Sequence, residues 1–357
     1  MSAGRIRPAM SRFLREEGFY LPIVLFAVAA SLWPFVASAR DLDVAEGPPT
    51  MPPALLRNVL RTHIEGIQIL RDRRNPKVLF PLWIRRTQIT MTIAGLVVGL
   101  TMATMNLIYS RWPRASQSGP TPWTLWDCFK LAALWYVGRL ALHAIFRVSA
   151  IPPAFGPGYW VAEIFSAVLL VGALLHIACT ERNAPLSALG IHWRGLPGAI
   201  GTGALGLIVI YPFMVLIVAA AASWFPDAAI EDTVAALLGT QQQRTVVIAS
   251  VAVIVFVPVA EEMFYRGMVQ PLLQRWLGGW NGLMFTALFF AAAHVRAERN
   301  LYLLPPLFIL GLGLGYTYNR SRSMAAPIAL HVFYNGFVVL LILSHRQILT
   351  ELRALLH

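Results

Sequence analysis

The chain reads as apolar runs separated by short polar or proline-containing breaks. The runs fall at about 20–39, 88–109, 125–147, 159–179, 198–224, 245–274, 280–298, 302–318 and 324–344. Most are close to the ~20 residues a helix needs to cross a hydrocarbon core. The pattern predicts an all-α, polytopic transmembrane helix bundle of about nine spans, with eight and ten as the bounds. The first run follows Arg5, Arg7, Arg12 and Arg15, as a signal peptide would. Its apolar stretch is too long for one and ends in Asp41 and Asp43, so it predicts a retained span.

Residues 40–87 break the pattern. They are polar and proline-containing, yet Leu55, Leu56, Val59, Leu60, Ile64, Ile67 and Leu70 recur at helical spacing beside Arg57, Arg61 and Arg71. That predicts a basic amphipathic helix, lying on a membrane surface or packed on the rest of the protein. The polarity pattern divides the chain into a basic segment with the first span (1–39), this insert (40–87), accessory spans (88–239), a carboxy-terminal bundle (240–345) and a tail (346–357). Gly95/Gly99 and Gly311/Gly315 have the four-residue spacing that lets helices approach closely. They predict packing, not chemistry.

Composition supports the membrane reading. Of 357 residues, 57% are hydrophobic and 13% charged, and the mean hydropathy is +0.62. A net charge of +12 would suggest nucleic acid in a soluble protein. Here the arginines flank apolar runs, so anionic lipid headgroups are the expected partner and nucleic acid is not. The positive-inside rule fixes no orientation, because the basic amino terminus and the basic insert lie on opposite sides of the first span. Cys128 and Cys179 both fall in apolar runs, against a disulfide framework or a thiolate zinc site.

Three groups of polar residues interrupt the last runs. Val257-Pro-Val-Ala-Glu-Glu-Met-Phe-Tyr-Arg266 places Glu261, Glu262 and Arg266 within an apolar segment. Charge there is expensive, so such groups face partners or a cavity. Glu262 and Arg266 are four apart and can pair on a helix, while Glu261 points about 100° away. Pro258 weakens the backbone ladder just before them. His294 lies in the next run, and His331 and Asn335 share a face in the last. Glu261 precedes Gly278 by about as many residues as His294 follows Gly279, so a hairpin there puts them at one depth. His331 matches that depth less well by counting. In an apolar setting the cluster suits water activation, with Glu261 as general base, a histidine holding the water, and Asn335 with a histidine N–H facing an oxyanion. A zinc site and a proton or ion relay use the same residue types.

In order, Glu261-Glu262-x-x-x-Arg266, Phe290-x-x-x-His294 and His331-x-x-x-Asn335 resemble the signature of the CAAX-processing and bacteriocin-processing family of intramembrane proteases, which includes the type II CAAX prenyl endopeptidases. The resemblance covers about residues 240–345. It implies peptide-bond hydrolysis at the membrane, with a membrane-tethered protein or peptide as substrate, in the plasma membrane of a prokaryote. Carried over, Glu261 is the base and His294 assists it. Glu262 and Arg266 orient the site, His331 and Asn335 stabilise the tetrahedral intermediate, and Phe290 and Tyr265 pack around it. Such proteases have been described as metallo- and as glutamate-type. The metal-free form, with no cofactor, is preferred, because two glutamates and an arginine compete poorly as a compact zinc shell. In the metallo form Glu261, His294 and His331 would hold the zinc. Nothing here indicates a prenylated substrate.

Two other functions use the same residues. A non-catalytic scaffold of this fold would bind a membrane protein or peptide. A proton-coupled transporter would show symmetry between halves, which is absent. Elsewhere, Asp127, Lys130 and Arg139 read as internal pairs or snorkelling side chains, and His143 and His176 as packing hydrogen-bonders. Glu163 reads as an isolated acid able to line the cavity. His192 and Trp193 read as interface anchors.

Overall fold

The computed structural model describes residues 121–146, 156–224, 232–240, 242–295 and 298–356. The predicted span at 20–39, the insert at 40–87 and the run at 88–109 with Gly95 and Gly99 lie outside them. Among the described residues every regular element is helical. The helices are α1 (Leu125–Ile145), α2 (Pro157–Leu175, prolonged by a π-helical turn His176–Glu181), α3 (Leu196–Trp224), the short α4 (Asp232–Gly239), α5 (Gln243–Leu277), α6 (Gly279–Ala293), α7 (Leu304–Ser321) and α8 (Ala325–Leu356).

Local signals set the ends of these helices. Thr124 caps α1 in a reciprocal box, accepting from the Asp127 N–H while the Asp127 carboxylate accepts from the Thr124 N–H. Pro157 opens α2 at a position that needs no donor. Gly278, at φ 83°, makes the reversal from α5 to α6 that a side chain would strain. Arg322, at φ 58°, ends α7.

Among the described residues six helices are long and apolar enough to cross a membrane: Leu125–Ile145, Pro157–Glu181, Leu196–Val218, Gln243–Leu277, Leu301–Ser321 and Ala325–Ser344. Phe165, Leu216 and Phe289 are among the large apolar side chains they and α6 turn outward. The predicted run at 280–298 is corrected. Its helix α6 stops at Ala293 after 15 residues, about 22 Å against the ~30 Å of a hydrocarbon core. The next stretch, His294-Val-Arg-Ala-Glu-Arg-Asn300, is too polar to continue an apolar helix. The helix therefore ends at Ala293, with a half-buried His294 at its tip.

The depth of His331 also finds its reason. The α7–α8 turn is recessed: Ser323, Met324 and Ala326 are buried. The loop between α2 and α3 lies over it, with the Met324 N–H donating to the Gly190 carbonyl at 2.8 Å. Gly190, at φ 76°, also leaves no room for a Cβ against the Tyr318 ring. Because α8 begins below the surface, a residue only one or two turns into it reaches the middle of the bundle.

Close approach between α3 and α8 rests on Gly203, where a Cβ would meet the Ala326 carbonyl, the Ala329 methyl and the Leu330 N–H. Two of these are backbone atoms that cannot swing aside. We expect Gly203→Leu to cost about 1–3 kcal/mol or more, seen as a lowered thermal midpoint in detergent. Gly201→Leu, at a position with open space, should leave the midpoint unchanged. Equal midpoints for the two variants would refute the α3–α8 contact.

Charge among the early helices is paired. Asp127 is fully buried and takes Arg182 at both oxygens, at 2.8 and 2.9 Å, and Lys130 at 3.1 Å. Lys130 also reaches Glu181 at 3.0 Å. At the other end of α1 and α2, Glu163 accepts from Arg139 at 2.7 Å and lies 3.0 Å from His143. Glu163 is therefore not the isolated acid the sequence suggests; its partners sit on the neighbouring helix, invisible to a one-dimensional reading. His176 is largely exposed, with Nε2 3.8 Å from Glu181. Trp193 is 83% exposed in the α2–α3 loop, where an interface anchor belongs.

Candidate active site

The helix α5 is not a uniform rod. Residues Ala252–Phe256 and Met263–Val269 are π-helical, and the short α-helical piece Val257–Glu262 between them carries both glutamates. Pro258 explains the first interruption: it has no N–H, and its ring crowds the carbonyl of Ile254 four residues back. The wider π-turns flank the glutamate pair, and such turns are frequent at functional sites.

Glu262 and Arg266 pair as their spacing predicts, Nη1 to Oε1 at 3.1 Å, both at 0% exposure. The structure adds two contacts. Arg266 Nη2 donates to the Gly311 carbonyl on α7 at 3.1 Å. His331 Nδ1, on α8, lies 2.8 Å from the same Glu262 oxygen. Gln270 continues the stripe one turn on, donating to the Gly315 carbonyl at 3.1 Å and to Asn319 Oδ1 at 2.9 Å. The absence of side chains at Gly311 and Gly315 brings α7 against Ala287 of α6 and against the Gln270 amide. Their carbonyls become the acceptors for this buried polar stripe. The spacing 262, 266, 270 against 311, 315, 319 was available in the sequence as the signal for it.

Glu261 faces the other way, as predicted. Its Oε1 is 3.5 Å from His294 Nε2 and its Oε2 is 3.9 Å from His331 Nε2. Glu261 and His294 thus meet at one depth, as the hairpin predicts. The tautomers follow from the far side of each ring. His294 Nδ1 lies 2.7 Å from the Phe290 carbonyl, which can only accept, so Nδ1 carries the proton. The same reasoning at the Glu262 carboxylate puts a proton on Nδ1 of His331. Both rings are therefore held from behind, and both present Nε2 to Glu261.

Phe290, fully buried, is the floor on which these groups rest. Its ring centroid is 4.8 Å from that of His294, 5.8 Å from His331 and 5.4 Å from Tyr265. The Arg266 guanidinium lies 4.7 Å from the same ring, within cation–π range. Asn335 stands on α8 one turn after His331 and donates from Nδ2 to the Val253 carbonyl of α5 at 2.8 Å. That bond, and the one between His331 and Glu262, escape sequence reasoning because 82 and 69 residues separate the partners.

A zinc ion would require a Glu261 oxygen and two Nε2 atoms to converge as a shell. Among the described residues no group of three His, Cys, Asp or Glu is arranged to hold a metal ion.

Residues 243–337 match the family described as type II CAAX prenyl endopeptidase Rce1-like, a stretch that takes in every residue of the cluster. The chain is also 28% identical over 164 residues to an uncharacterized 24.3 kDa protein of Escherichia coli, an alignment covering 42% of this chain and 65% of that protein. The chain thus spans just under two thirds of that relative's length. No solved structure matches. The matched stretch carries the three motifs in order on α5, α6 and α8, so residues 243–337 are Rce1-like, and the six long apolar helices among the described residues have the length and composition of membrane spans.

Proposed function

We propose that the chain is an intramembrane endopeptidase that cuts membrane-associated proteins or peptides using a water activated by Glu261. One observation carries the reading: Glu261 faces the Nε2 atoms of His294 and His331 in the middle of the bundle, 3.5 and 3.9 Å away. A water placed between Glu261 and His294 donates one O–H to the carboxylate and the other to the histidine lone pair. Glu261 takes the proton as the water oxygen attacks the scissile carbonyl, and returns it to the leaving amine. His294 orients the water and shares the proton.

Developing charge on the carbonyl oxygen needs donors. Asn335 spends one N–H on Val253 and keeps a second for the substrate. His331, its ring held through Nδ1 by Glu262, is the second group set toward that oxygen. Arg266 then holds Glu262 in place. The region 240–345 is the catalytic bundle, and the prokaryotic plasma membrane is its setting. Arginines flanking the spans face anionic headgroups there.

The test is cleavage of a panel of membrane-anchored peptides by purified protein in liposomes, with and without a chelator. We expect cleavage that the chelator does not change. Loss on chelation and recovery with zinc would replace the glutamate mechanism with a metal one. A partner bound tightly and never cut would replace it with the scaffold.

A further inference from the structure

The bond between Asn335 and Val253 raises a question of supply, since a helix normally satisfies its own carbonyls. In an α-helix the Val253 carbonyl would accept from the N–H of Val257, and in a π-helix from that of residue 258. Here the Val257 N–H donates instead to the Ala252 carbonyl, and residue 258 is a proline with no N–H. Both ordinary donors are gone, and the carbonyl is taken by a side chain from another helix.

We infer that Pro258 is a positioning residue: by stripping the Val253 carbonyl of its helical donors, it fixes the Asn335 amide in the site. The inference rests on the proposed role of Asn335, and it goes further by naming what orients that side chain. A primary amide rotates freely about its last torsion, and either its oxygen or its nitrogen can face a substrate. With Nδ2 bound to a carbonyl, the nitrogen is set on that side and its second N–H is aimed by geometry. The oxygen is turned away. Asn335 then meets the substrate carbonyl as a preset donor, needing no reorientation at the moment of reaction.

Replacing the proline reverses the logic. Pro258→Ala gives Val253 a donor from its own helix by either of two routes. The backbone N–H that the substitution restores can extend the π-turn, or the helix can relax to α, with Val257 returning to Val253. In both, Asn335 loses its exclusive acceptor.

The experiment is a double-mutant cycle on the full chain in detergent, read as the thermal midpoint of native protein, Pro258→Ala, Asn335→Asp and the double variant. Aspartate keeps the shape of asparagine and removes the donor. We expect Asn335→Asp to lower the midpoint by about 2–4 °C or more with Pro258 present, and by less than half as much in the Pro258→Ala background. Asn335→Ala, which introduces no charge, should show the same pattern. Equal shifts in the two backgrounds overturn the inference, whether or not the protein is a protease.

On a cleaved peptide, Pro258→Ala should lower kcat at least tenfold and leave KM within about twofold, since the second N–H serves the transition state and not substrate binding. An unchanged kcat also overturns it. Coupling in the midpoints for a chain that cuts nothing would uphold the positioning of Asn335 and fail the protease reading instead.

Discussion

Glu261→Gln is expected to abolish peptide hydrolysis and leave the fold intact. The substitution keeps the shape and removes the group that accepts a proton. Glu261 is 8% exposed, and the nearest charged or chargeable nitrogens are His294 and His331, at 3.5 and 3.9 Å. Those separations exceed the 2.7–2.9 Å of a charge-assisted hydrogen bond, so little binding energy holds the fold through this carboxylate. Loss of a positioned general base alone removes about 10²–10⁴ of rate. Initial rates on a cleaved peptide should therefore fall at least a hundredfold, with the thermal midpoint within a degree or two of native. A fall in both together would make Glu261 a structural residue. A fall in neither would move the chemistry elsewhere.

Arg266→Met should do the opposite, damaging the fold first. Arg266 and Glu262 are both wholly buried and bonded to each other, and Arg266 also satisfies the Gly311 carbonyl. Methionine fills much of the volume but leaves the Glu262 carboxylate in an apolar interior with only His331 beside it. Breaking one side of a buried ion pair costs about 3–5 kcal/mol. The expected result is a large drop in thermal midpoint and loss of monodisperse protein in detergent. Adding Glu262→Gln to Arg266→Met removes the stranded charge and should recover part of the loss. A single variant as stable as native would show that the pair does not hold α5 to α7.

How much of this was legible beforehand differs by level. The Glu262–Arg266 pair, the meeting of Glu261 with His294 and the turn at Gly278 all follow from spacing along the chain. Such features are one-dimensional: 3.6 residues per turn and 1.5 Å per residue carry them. The contacts that decide proton positions are not of that kind. His331 with Glu262, Asn335 with Val253 and Glu163 with Arg139 and His143 join separate helices, and no periodicity announces them. The span at 280–298 was misjudged for a related reason. Hydropathy marks that run as apolar enough, but a helix whose tip carries His294 stops where its histidine must meet Glu261. Pro258 was visible as a weak point in the ladder. That the freed carbonyl would be filled from α8 was not.

In the proposed mechanism Glu261 and His294 act on one water as a unit. The measurement that meets it most directly is kcat for native protein, Glu261→Gln, His294→Ala and the pair together, on one peptide in liposomes. Residues that serve a single step are strongly non-additive. Each single variant is expected to lose most of the rate, and the double variant little more. Losses that multiply, or a Glu261→Gln variant that cuts as well as native, would contradict it.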